Sequence, residues 1–186
     1  MKYLIKFRNS AVSVACAAVL SGLSTTLVAQ EEVYYGDRVP SKEELIDQLT
    51  PKPKYKTRGI QFGQPDVPKT EPSVSLAINF AYDSFELTPQ AMQQLAPLGE
   101  ALKSDQLSAF TFDIQGHTDA SGSEAYNLSL SEKRALAVGS HLYSTYGIDP
   151  EKIQLTGKGE SELYDKANPR SGVNRRVQIS TLSAQQ

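Results

Sequence analysis

The sequence predicts an α/β sandwich of two layers, with element order β-α-β-α-β-β and two helices on one face of a four-stranded mixed sheet, spanning residues 73–181 of 186. Three observations lead there. Four short segments alternate apolar and polar residues, the pattern of strands with one face buried and the other solvated. Two longer segments carry apolar stripes at helical spacing. The segments interleave so that one sheet collects both helices on one side.

The first strand is "VSLAINF": Val74, Leu76, Ile78 and Phe80 point one way, Ser75, Ala77 and Asn79 the other. In "LTPQAMQQLAPLGEALKS", Thr88 caps a helix, Pro89 takes the first helical position, and Met92, Leu95, Leu98 and Leu102 form its stripe. Pro97 inside that run predicts a kink. "AFTFDIQ" alternates again, with Phe110, Phe112 and Ile114 inward. "NLSLSEKRALAVGSHLYSTYG" predicts the second helix, with Leu128, Ala135, Val138 and Leu142 as its stripe and Gly147 as its stop. "KIQLTGK" and "RRVQIST" complete the sheet.

Three further regions surround this domain. Residues 1–29 have the order of a secretory signal: Lys2, Lys6 and Arg8, then the apolar "AVSVACAAVL", then small polar residues, with cleavage near Ala29 or Gln30. A retained membrane anchor is the rival, because residues 11–29 carry no charge. Cys16, the only cysteine, lies inside that segment, and the residues before it lack the usual pattern for lipidation. Without the signal the chain has no cysteine to form a disulfide, and its balance is 16 basic against 21 acidic residues, a net −5. That mildly acidic balance gives no indication of a nucleic-acid partner. Residues 30–72 contain six of the ten prolines and predict an extended tether. Within it "SKEELIDQL", 41–49, has Ser41 and Glu44 in capping-box spacing and Leu45, Ile46 and Leu49 on one face. It is either a helical turn that packs back on the domain or a docking peptide for an envelope protein; the first is preferred. Residues 182–186 form a tail.

Chemistry-bearing residues crowd into "GHTDASGSEAYNLSLSEKRA", 116–135. Catalysis is a poor fit, because no G-x-S-x-G elbow and no cysteine nucleophile accompany His117, and the GKG at 157–159 lacks the rest of a phosphate loop. A calcium loop beginning at Asp119 would place Leu130 at its twelfth, ligating position. The sequence therefore predicts no enzyme, no cofactor and no metal. Asn127 and Arg134 lie seven residues apart, within about 20° of one helical azimuth, and helical side chains lean toward the N-terminus. Arg134 thus reaches back toward the loop that holds Asp119. Two arrangements remain open on this geometry. One is a plain Asp119–Arg134 salt bridge, stabilising by about 0–1 kcal/mol at a surface. The other is a pair held slightly apart, suited to a ligand with both an ammonium and a carboxylate.

The stretches "INFAYDSFELTPQAMQQLAPLGEAL", "GHTDASGSEAYNLSLSEKRA" and "NRRV" (174–177) together resemble the OmpA-like C-terminal domain over roughly residues 73–181. The resemblance implies a periplasmic domain that binds peptidoglycan without cleaving it, through the diaminopimelate of the stem peptide. It implies Asp119 as the key acid and Arg134 as the key base, with Tyr82, Asp83, Thr118, Asn127 and Arg175 in support. It favours the separated pair, because the free centre of diaminopimelate is a zwitterion. Asn127 has a plainer reading as the cap of the second helix, His117 as a brace of its loop, and Gly116 and Gly122 as servants of loop conformation. Of Arg175 and Arg176, adjacent on a strand, only one is expected to face the site.

Overall fold

A computed structural model describes residues 32–52, 71–81 and 83–182. The expectations for the signal over 1–29, for Cys16, for the stretch 53–70 and for Tyr82 fall outside those residues. The elements run β1 (Val33–Gly36), α1 (Lys42–Leu49), β2 (Ser73–Leu76), α2 (Pro89–Leu102), β3 (Thr111–His117), α3 (Glu124–Tyr146), β4 (Ile153–Gly159) and β5 (Val177–Leu182). They form the expected two-layer sandwich, a mixed sheet with helices on one face, but with five strands in the order β1-β2-β5-β3-β4. The outer pairs β1/β2 and β3/β4 are parallel, and β5 runs antiparallel to both β2 and β3.

The fifth strand corrects the four-strand expectation, and it comes from the segment read as tether. β1 pairs with β2 in the register Val33↔Val74 and Tyr34↔Ser75. The Glu32 carboxylate just before it accepts from Ser75 Oγ and, at 3.0 Å, from Arg176 Nε. A four-residue strand with no alternation and prolines beyond it gives little local signal; its stability comes from those distant partners. α1 also belongs to the domain. Its capping box is formed as expected, Glu44 N–H donating to Ser41 Oγ and Ser41 N–H to the Glu44 carboxylate. Leu45 and Leu49 are 0 % exposed in the main core, so the apolar face read as a possible docking surface is already covered.

The long helices follow their expected signals at both ends of α2 and at the C-terminal end of α3, and depart from them elsewhere. Thr88 caps α2 by accepting from Ala91 N–H, and Pro89 opens the helix. Pro97 lies inside α2, which continues past it to Leu102. The buried stripe is Ala91, Leu95, Leu98 and Leu102; Met92 sits one residue off it and is 42 % exposed. α3 starts earlier than expected, capped by Ser123 rather than Asn127. Its N-terminal half buries polar Asn127 and Ser131, its C-terminal half Ala135, Val138 and Leu142, while Leu128 is 43 % exposed. Gly147 ends it in the left-handed region, φ 67°, as expected.

Two glycines bring α3 down onto the sheet. Gly116 and Gly157 are partners across β3 and β4. A Cβ at Gly116 would overlap the Ser131 carbonyl, and one at Gly157 would lie 2.7 Å from Glu132 N. Gly116 therefore serves helix–strand packing rather than loop conformation, while Gly122, at φ 112°, does serve its loop. The close approach fixes the depth at which Asn127 and Arg134 sit over the end of β3.

Candidate ligand-binding site

The carboxyl end of β3 runs straight into the polar cluster, and backbone bonds hold that crossing on three sides. His117 N–H donates to Arg176 O at 3.0 Å, Thr118 N–H to Gly159 O at 2.9 Å and Ala120 N–H to Pro169 O at 2.9 Å. Asn127, buried inside α3, donates its side-chain amide to Asp119 O at 3.2 Å and to the Glu160 carboxylate. Its position is a brace between helix and loop, not a cap.

Asp119 is 7 % exposed. Its Oδ1 accepts from Ser121 N–H at 3.0 Å, and its Oδ2 accepts from Arg175 Nη1 at 2.6 Å. The plain Asp119–Arg134 bridge is thus not formed; the acid pairs with Arg175 instead. Strand β5 begins only at Val177, and Arg175 follows a 3₁₀ turn, Gly172–Asn174, which frees its side chain from strand geometry. Both Arg175 and Arg176 therefore line the cleft, correcting the expectation that one would face away. Arg176 is buried and held by Glu32, so only Arg175 has mobility to offer a ligand.

Arg134 is held by other means. Its Nε donates to Ser84 O at 3.1 Å, and its guanidinium lies 4.8 Å from the centroid of Phe80. Burial is the main influence that lowers its pKa from the ordinary arginine value. No carboxylate of the described residues pairs with it, and its side chain lines the cleft. The loop that supplies Ser84 is strained next door: Asp83 has φ 50°, and its carboxylate accepts from Tyr126 O–H.

These groups surround one cleft of about 1020 Å³. Asp83, Thr118, Asp119, Asn127, Arg134 and Arg175 all line it. Thr118 is buried and its Oγ1 has no hydrogen-bond partner among the described residues. The His117 ring, 1 % exposed, lies beside the Glu162 backbone, and its main-chain N–H holds the loop on Arg176 O. Burial above all, then the neighbouring Arg176, pushes its pKa down to about 3, so the ring is neutral. Tyr126, Tyr34 and Asp37 also line the cleft, and the sequence reading missed all three. Tyr126 lies inside the motif region; Tyr34 and Asp37 arrive with β1, which had no local signal.

The model of the OmpA family matches residues 79–176. The chain belongs to the OmpA family. Outer membrane protein A of Bordetella avium is 36% identical over 107 residues, 56% of this chain and 54% of that protein. The peptidoglycan-associated lipoprotein of Pseudomonas putida is 33% identical over 102 residues, 54% of this chain and 59% of the other. Outer membrane porin F of Pseudomonas aeruginosa is 33% identical over 107 residues, which are 56% of this chain but 30% of the porin. The chain thus spans less than two thirds of these relatives, and the shared part is the OmpA-family domain. Among solved structures, the OmpA-like domain of FopA1 from Francisella tularensis aligns with a TM-score of 0.50 at 26% identity, covering 61% of this chain and 75% of that one. β1, α1 and β2 all precede the residues that define the family.

Proposed function

We propose that this OmpA-family chain binds peptidoglycan non-covalently, through the diaminopimelate of the stem peptide, and so anchors an envelope protein to the cell wall without catalysing a reaction. The observation that carries the reading is that Asp119 and Arg134 face one cleft without pairing to each other. Asp119 takes the ammonium of the ligand's free amino-acid centre. Arg134, already oriented by Ser84 and Phe80, takes the carboxylate on its two terminal nitrogens. Arg175 neutralises Asp119 until a ligand enters and then follows the arriving carboxylate. Thr118, Asn127 and Asp83 line the pocket around that centre, and Tyr82 follows the same motif. The peptidoglycan-associated name of the Pseudomonas putida relative supports the reading. An export signal, as read in residues 1–29, would agree with a periplasmic domain at the wall. A partner recruited through 41–49 would meet the exposed polar face of α1, because Leu45 and Leu49 lie in the core.

Calorimetric titration with matched stem peptides tests the proposal. Replacing diaminopimelate by lysine removes the carboxylate and leaves Arg134 unpaired, a loss of about 2–5 kcal/mol for a desolvated charge. At 1.4 kcal/mol per decade, binding weakens at least about tenfold. Asp119→Asn and Arg134→Lys each lose most of the diaminopimelate affinity, the second because lysine keeps the charge but not the fork. Equal affinities for the two peptides would sink the assignment.

A further inference from the structure

The N-terminal segment builds part of the cleft wall. Tyr34 and Asp37 line the same cleft as Asp119 and Arg134. In a regular strand, residues three apart point to opposite faces. Here the register slips between Tyr34 and Gly36, and Gly36 turns the chain in the left-handed region at φ 58°. The irregularity re-aims the chain so that both side chains reach the cleft. They are held there firmly. Glu32 anchors the start of β1 on Arg176 and Ser75, and Ala77 N–H donates to Gly36 O at 3.1 Å. The Tyr34 ring stacks on Tyr164 at 4.8 Å.

The side chains that β1 and its turn add differ in chemistry from those the loop and α3 supply. Arg134 and Arg175 offer guanidinium groups, which suit a carboxylate. Tyr34 and Asp37 offer an aromatic ring, a hydroxyl and a carboxylate, and neither polar group has a hydrogen-bond or ion-pair partner among the described residues. An ionised carboxylate only accepts hydrogen bonds and repels a ligand carboxylate. A tyrosine pairs an apolar ring with a polar tip. Together they fit a neutral ligand with C–H faces and O–H or amide N–H donors. At about 1020 Å³ the cleft is also at the upper end of the range that encloses whole small-molecule ligands, more than one amino-acid centre fills.

We infer that Tyr34 and Asp37 form a sugar subsite, which takes an N-acetylated hexose of the glycan strand beside the stem-peptide subsite. The inference rests on the proposed binding of peptidoglycan.

The test uses two probes: a diaminopimelate stem peptide alone, and the same peptide carrying its N-acetylated disaccharide. Wild-type protein binds the disaccharide form more tightly, by at least about threefold, the size of one well-formed ring contact. Tyr34→Ala and Asp37→Asn abolish that difference and leave the affinity for the bare peptide unchanged; Tyr34→Phe keeps the ring's share. Thermal unfolding of each variant confirms that β1 is in place. Variants that retain the wild-type difference overturn the sugar subsite. So do variants that lose affinity for both probes equally, because Tyr34 and Asp37 would then act on the peptide or on the fold. Wild-type protein that binds neither probe overturns the wall-binding reading itself, a result distinct from both.

Discussion

Lowering the pH should destabilise this domain well before its carboxylates protonate, and His117 is the reason. The imidazole is 1 % exposed, and its pKa is about 3 in the folded chain against 6.5 when unfolded. The folded value is depressed, so between those two values the unfolded chain binds a proton that the folded chain refuses. The stabilisation is complete above pH 6.5 and is lost as pH falls toward 3. From pH 7 to pH 5 the loss is about 2 kcal/mol by linkage, and to pH 4 about 3 kcal/mol. From pH 7 to 5 the window lies above the ordinary values of the carboxylates that the fold holds low. The carboxylates held below their ordinary values, Glu44, Glu162 and Asp165, begin from 4.5 or 3.8 and act at lower pH. Urea unfolding at pH 7, 6 and 5 measures the slope. His117→Leu, similar in volume and without a titrating group, should flatten it whatever its own stability. An unchanged wild-type stability from pH 7 to 5 would refute the reasoning. So would a His117→Leu variant that keeps the full slope.

Other perturbations test the frame around the cleft. Leu45→Ala or Leu49→Ala should each cost about 2–5 kcal/mol in urea unfolding, because both side chains are fully buried in the shared core; a negligible cost would make α1 an ornament of the surface. Glu32→Ala removes the carboxylate partner of a buried guanidinium and should cost about 3 kcal/mol, with Arg176→Leu added to the same chain recovering part of it. Gly116→Ala drives a methyl group against the Ser131 backbone; it should cost about 1–3 kcal/mol and weaken ligand binding too, because Asn127 and Arg134 ride on the displaced helix.

What was legible in the sequence is what local chemistry determines. Thr88 with Pro89, Ser41 with Glu44, and Gly147 each mark a helix end through neighbours within a few residues, and all three ends fall where expected. The apolar stripes were legible only where the helix meets apolar core. α3 passes from a polar site to the core along its length, so a single stripe through Leu128 was the wrong template. β1 was illegible because its reasons are remote. Its strand partner β2 lies some 40 residues on, and the Glu32–Arg176 contact joins residues 144 apart in sequence. In the site, the crowding of Thr118, Asp119, Asn127 and Arg134 could be read from one stretch. That Asp119 pairs with Arg175 rather than Arg134 could not, because the 3₁₀ turn that swings Arg175 inward depends on Asn174, buried and bonded to Asp165, Asn168 and Pro169.

That pairing shapes how the cleft can work. An acid and a base that bridged each other directly would have to be separated before a zwitterion could enter, and their mutual attraction would oppose binding. Here each is steadied by something else. Arg134 rests on a carbonyl and a ring, neither of which a ligand carboxylate displaces. Asp119 rests on a backbone N–H and on Arg175, whose side chain is 55 % exposed and free to move. Entry of an ammonium beside Asp119 and a carboxylate beside Arg134 therefore exchanges one ion pair, exposed only on its Arg175 side, for two contacts inside a cleft where water screens less. The arrangement favours a ligand with both charges over one with either alone, and the α3 face and β1 wall that hold it in place are ordered by packing rather than by the ligand.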